Sequence, residues 1–177
     1  MTATDILASP QVTAHPLAAA DPFPNNPALP LLVYAGAFRL PAADPAGAIE
    51  RVFAANGWPP AWRFGVFDYH HYHSTAHEVL GVFAGSARLQ FGGPQGVTVE
   101  AGVGDVIVIP AGVAHKCLAS RGFRVVGAYP RGQDFDMNRG EPGERPAAEA
   151  NIARVPLPAA DPVVGRDGPL QAHWGTA

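Results

Sequence analysis

A chain of 177 residues with 47% hydrophobic side chains can bury one sizeable core and leaves little room for two domains. A net charge of −3 and only 12 basic residues, eleven of them Arg, exclude a basic nucleic-acid groove or a cationic membrane-binding face. One cysteine, Cys117, excludes an internal disulfide; with no basic-then-apolar leader over Met1–Ala14 and no run of ~20 apolar residues, the expectation is a cytoplasmic protein outside the membrane.

Residues 1–30 carry Pro10, Pro16, Pro22, Pro24, Pro27 and Pro30. That density predicts an arm without helix or interior strand. Leu31–Leu40 reads as a strand. Asp44–Asn56 reads as a helix: Asp44 caps it, Pro45 suits its first position, Gly57 stops it, and Ile49, Val52 and Phe53 form its apolar stripe. From Trp62 to Tyr129, short β-rich runs alternate with glycine: RFGVFDYHHYH, EVLGVFA, ARLQF, VTVE, DVIVIP, HKCLA and FRVVGAY. This pattern predicts an all-β sandwich or barrel. The expected division is a proline-rich arm over 1–30, a β-barrel over 31–130, and a loop and tail over 131–177 packed on the barrel. The polar segment between Arg131 and Arg145 reads as a solvated loop, with a lid over the barrel mouth as the alternative.

His71 and His73 are two apart, so on a strand both point to one face and offer a transition metal two imidazoles. Glu78 has the wrong parity for an unbroken strand; a turn or bulge at Ser74-Thr75-Ala76 would return it inward. His115 comes from a separate strand after Pro110-Ala111-Gly112.

These residues resemble the two motifs of the cupin superfamily. The first reads Gly65, His71, His73, Glu78, Gly85; the second reads Gly104, Pro110, Gly112, His115, with Ala119 where the family has Asn. The motifs span residues 65–85 and 104–119. Segments such as HYHSTAHEVLGVFAG and VGAYPRG are similar to a bacterial, largely uncharacterised subfamily of single-domain cupins. The resemblance implies a double-stranded β-helix, a conical jelly-roll barrel, with one divalent metal (Mn, Fe, Ni or Zn) on His71, His73, Glu78 and His115. It further implies a metal-dependent oxygenase or isomerase acting on a small polar molecule, or, as the alternative, a non-catalytic binding or sensing protein.

The other candidates read as follows. His70 and His77 should point away from the metal by parity. Cys117 shares the parity of His115. Trp58 and Trp62 are packing residues or a substrate platform, and Arg124 is a surface residue. Glu78 facing inward places Leu80, Val82 and Ala84 on its face. A two-residue hairpin turn at Gly85-Ser86 would then carry Ala87, Leu89 and Phe91 inward and Arg88 and Gln90 outward. Phe67 and Tyr69 share the face of His71. The expected pocket wall is therefore Phe67, Tyr69, Leu80, Val82, Leu89, Phe91 and Cys117, an apolar cup suited to a small ligand. Apolar anchors in both terminal segments (Leu31, Leu32, Phe38, Leu157, Val163 and Trp174) predict that these segments wrap the sheets, within one subunit or across a homodimer.

Overall fold

The computed structural model describes residues 3–175. After a single helical turn at Ala3–Ile6, the elements are β1 (Gln11–Leu17), β2 (Asn26–Ala35), α1 (Pro45–Ala55), β3 (Pro60–Phe64), β4 (Glu78–Phe91), β5 (Val97–Gly102), β6 (Val106–Ile109), β7 (His115–Ala128), α2 (Glu144–Ile152) and α3 (Pro169–Trp174). The seven strands pair antiparallel in the order β1-β2-β6-β4-β7-β3, with β5 added to β4. This is a jelly-roll β-barrel.

Strands β4 and β7 build both walls. Glu78–Gly81 of β4 pairs with β6, while Ser86–Phe91 pairs with β5, and β7 runs beside both halves. Gly85 marks the bend. Its φ is +64°, and a Cβ there would lie 2.2 Å from the Arg121 carbonyl oxygen. The expected hairpin turn at Gly85-Ser86 is therefore a bulge within one continuous strand, and Ser120–Gly122 is its counterpart in β7. The facing prediction survives, because the extra residues of a bulge reverse side-chain parity as a turn would. Leu80, Val82, Ala87, Leu89 and Phe91 share one interior cluster, and Arg88 is exposed.

The wall formed by β2, β6 and the first half of β4 with β7 beside it is buried on both faces. Leu31, Leu80, Ile107, Ile109 and Val125 point into the barrel. Leu32, Tyr34, Val79, Val106, Val108 and Val126 point outward, under α1 and α3. Double burial explains why β6 reads VIVI without polar alternation. Helix α1 begins as expected, with Asp44 Oδ1 accepting from Gly47 N at 3.0 Å. It lies so close to β4 that a Cβ on Gly81 would meet Ile49 Cγ2 at 2.6 Å.

The proline-rich segment is more than an arm: it supplies β1 and the first half of β2. Its prolines sit where ladder bonds are missing. Pro16 occupies the irregularity between His15 and Leu17, and Pro27 and Pro30 precede the stretch of β2 that pairs with β6. The tail contains α2 and α3, where only loop was expected. Trp174 Nε1 donates to Pro30 O at 2.9 Å, and Leu31, Leu32, Phe38, Val163 and Trp174 are all buried within the one chain, while Leu157 is exposed. Among the described residues, no helix is long and apolar enough to cross a membrane.

Candidate metal centre

The segment expected to be a strand through His71 and His73 is a loop held by two isolated bridges. His71 exchanges backbone bonds with His115, and Tyr72 with Asn138. The alternation persists: Tyr72 turns to Phe23 and Ala148, while His71 and His73 line the barrel cavity. The ligand-capable nitrogens of His71, His73 and His115 all lie within 4.8 Å of one another, and all three residues are buried. Glu78, at the start of β4, adds Oε1 at 3.6 Å from His73 Nε2 and Oε2 at 3.2 Å from His115 Nε2.

Each of these histidines is oriented by the protein backbone. Nδ1 of His71 donates to Tyr69 O at 3.2 Å, that of His115 to Val113 O at 3.0 Å, and that of His73 to Asp136 O. With the proton on Nδ1, each Nε2 keeps a lone pair directed at the cavity. Glu78 Oε2 is buried and makes no hydrogen bond, because the imidazole facing it has its proton on the far side. Acceptors thus face acceptors, an arrangement that a cation relieves. The donor set of three imidazoles and one carboxylate fits a divalent first-row transition metal.

The electrostatics agree. Burial pushes the Glu78 carboxyl up, but His73 and His115 beside it prevail and hold it well below the usual carboxylate range. Burial, reinforced by His115, pushes His71 down to about 3, so its ring is neutral at pH 7. Burial opposes a charge on His73 too, but Glu78 outweighs it and raises that imidazole, so that a proton on His73 Nε2 and a cation in the cavity are alternative answers to the same carboxylate. Tyr129 donates to Glu78 Oε1 at 2.9 Å and accepts from Trp62 Nε1 at 3.0 Å, steadying the carboxylate from behind.

The cavity measures about 360 Å³ and is lined by Trp62–Phe67, Leu80, Tyr129, Phe135 and Met137 around His71, His73, Glu78 and His115. Of the expected wall residues, Phe67 and Leu80 line it. Val82, Leu89 and Phe91 face the right way but are enclosed in the apolar cluster that reaches the cavity through Leu80. Tyr69 stacks on Phe67 with ring centroids 5.0 Å apart, outside the lining, and carries the Arg139 guanidinium 4.3 Å from its ring centroid. Cys117 is half-buried against that cluster and also stands outside the lining. As expected, His77 turns from the cavity, packing on Trp174 and accepting from Ala111 N at 3.0 Å. His70 rests on Phe23, and Arg124 is exposed. Trp58 is a core residue, whereas Trp62 reaches the cavity.

Sequence reasoning missed Tyr129, Phe135 and Met137. The last two lie on the segment between Arg131 and Arg145, which is a strap rather than a solvated loop. Asp136 accepts from Ser74 N at 2.6 Å and from Ser74 Oγ, Asp136 N donates to Thr75 Oγ1 at 3.0 Å, and Gln133 Oε1 accepts from His77 N at 3.0 Å. Alternate residues, Phe135 and Met137, face the cavity. Nothing local in the sequence tied these residues to the loop of residues 71–75 on which the strap is fastened.

A family profile described as Cupin matches residues 69–128. An uncharacterized protein, YjlB, of Bacillus subtilis is 45% identical over 152 residues, covering 85% of this chain and 89% of that protein. Among solved structures, a salicylate 1,2-dioxygenase from Pseudaminobacter salicylatoxidans aligns with 69% of this chain at 14% identity and a TM-score of 0.32. An 11S globulin from Wrightia tinctoria aligns with 76% at 15% identity and a TM-score of 0.34. The chain spans 26% and 28% of the lengths of those two proteins.

Proposed function

The chain belongs to the cupin family, and from that premise we propose that it is a metal-dependent enzyme of the oxygenase or isomerase type, with His71, His73, His115 and Glu78 holding one Mn, Fe, Ni or Zn ion. The observation that carries this reading is the convergence of four acceptor groups whose protons are fixed elsewhere: three Nε2 lone pairs and an unsatisfied Glu78 Oε2. They border a cavity wide enough for a small molecule to enter. A metal bound there would supply Lewis-acid or redox chemistry to an oxygen-bearing substrate. The chain's own residues would hold the ligand set rigid, through the carbonyls of Tyr69, Val113 and Asp136 behind the imidazoles and the Tyr129 hydroxyl behind Glu78, and exclude water with Phe67, Leu80 and Phe135.

A second reading, a non-catalytic binding or sensing protein, is favoured by one observation. The polar side chains of the lining beyond the four ligands are committed: Tyr129 donates to Glu78, Trp62 Nε1 donates to Tyr129, and Arg63 is paired with Glu50. None of these side chains is thus free to move a proton as a general acid or base, which a binding protein does not need. The test loads the full chain with Fe(II), Mn(II), Ni(II) or Zn(II) in turn. Oxygen uptake or isomerisation of offered small carbonyl and hydroxy compounds, lost on His73→Ala, supports the enzyme. Stoichiometric binding without turnover across those metals supports the alternative.

A further inference from the structure

The cavity walls come largely from outside the barrel strands, and they have a consistent chemistry. On one flank, Phe64 and Phe67 lie 6.0 Å apart between ring centroids, and Phe67 meets His71 edge-on at 5.2 Å. A second aromatic pair in the lining, Tyr129 and Phe135, stacks at 4.6 Å, and Phe135 meets His73 edge-on at 5.1 Å. Each aromatic wall thus abuts one of the two neighbouring histidines. The rim is apolar as well: Phe64, Phe67, Phe135 and Met137 are 54%, 37%, 44% and 43% exposed and all border this cavity. Exposed apolar groups concentrated at one opening mark a binding mouth.

Charge is as informative. Among the described residues, the one cationic side chain in the lining is Arg63, and both its Nε and Nη2 are taken by the Glu50 carboxylate. Within the lining itself, no second guanidinium or ammonium stands beside it to receive an anionic tail. A second negative charge on the ligand would be carried into an aromatic enclosure without a partner, a costly transfer.

We propose that this cavity selects a small molecule with one oxygen-bearing head, neutral or singly negative, and a compact apolar body, and that it rejects a ligand carrying a second charge. The head meets the metal and the body lies between the Phe64–Phe67 and Tyr129–Phe135 walls. Phe135 and Met137 are the specificity-determining residues contributed by the strap. The inference rests on the reading that His71, His73, Glu78 and His115 hold a metal.

The test measures metal uptake by the full chain first, without ligand, and then titrates the loaded protein with acetate, hexanoate and adipate. Hexanoate should bind more tightly than acetate by up to about fourfold for each added methylene that the cavity accepts. Adipate, which has the same six carbons and a second carboxylate, should bind at least about tenfold more weakly than hexanoate. Phe135→Ala should weaken hexanoate several-fold while leaving acetate affinity and metal content unchanged, and Met137→Lys should restore adipate. Both positions are on the rim, and unchanged thermal midpoints would exclude misfolding. Metal uptake with adipate equal to or tighter than hexanoate overturns the inference and leaves the metal centre standing. Absence of metal uptake overturns the reading of the centre and this inference with it. Failure of hexanoate to bind, with Phe135→Ala halving the mass in light scattering, makes the rim a subunit interface and likewise overturns the inference.

Discussion

The Tyr129 hydroxyl, just beyond the end of β7, donates to Glu78 Oε1 across 2.9 Å, at the start of β4. Of the two carboxylate oxygens, this one is already held, and the free one faces His115. Tyr129→Phe should therefore keep the fold and weaken metal affinity by about 10- to 100-fold, the usual consequence of losing a group that orients a ligand. Competition titration against a chelator checks this; unchanged affinity would separate Tyr129 from the metal centre.

Asp136 holds the ligand loop at two points, taking Ser74 N and Oγ on its carboxylate while its carbonyl receives His73 Nδ1. The neighbouring hydrogen bonds hold this carboxyl below its ordinary range against the opposing effect of partial burial. Asp136→Ala should loosen the loop, lowering stability by about 1–3 kcal/mol as Ser74 loses its acceptor, and should reduce metal affinity. Asp136→Asn, which keeps one acceptor oxygen, should recover part of both. Denaturant unfolding and metal titration read the two effects separately.

Asp161 anchors the tail to the sheet. It is fully buried and accepts from Tyr34 Oη at 2.6 Å, Val163 N at 2.8 Å, Val164 N at 3.1 Å and Leu170 N at 3.0 Å. Asp161→Ala strands four donors and should cost about 3 kcal/mol or more, whereas Tyr34→Phe removes one donor and should cost about 1–2 kcal/mol. Equal, small effects in chemical denaturation would contradict the assigned role.

A homodimer remains the proposed assembly, since two-fold pairs are the commonest closed oligomers. Strand β1 supports it by pairing only with β2 among the described strands, which leaves one ladder edge open. Light scattering should give about twice the 18.5 kDa chain mass; a monomer mass at micromolar concentration would contradict it.

The parts legible in sequence were those with local signatures. Helix α1 carried its cap, its first-turn proline and its stop within the stretch from Asp44 to Gly57. The four candidate ligands stood at fixed spacings around glycines that the backbone needs, and the inward facing of Leu89 and Phe91 followed from apolar alternation. What failed depended on distant partners. Gly85 reads as a turn because glycine permits one; only its alignment with Gly122 across β4 and β7 makes the pair a shared bend. The prolines of β1 and β2 argued against strand, and the ladder gaps that accommodate them are visible only once the strands pair. Helix α2 was hidden by Pro146, which sits in its first turn, where no intrahelical donor is lost. The strap residues Phe135 and Met137 lay in a segment with no barrel periodicity, so nothing local tied them to His73.

The central claim is that four side chains hold one metal ion. Metal content per chain, measured by inductively coupled plasma mass spectrometry on protein from its native host, tests it most directly when wild type, His73→Ala and Glu78→Ala are compared side by side. One divalent transition metal per wild-type chain, with little or none in either variant, is the predicted result. Metal at equal stoichiometry in all three proteins, or none in the wild type, would contradict it.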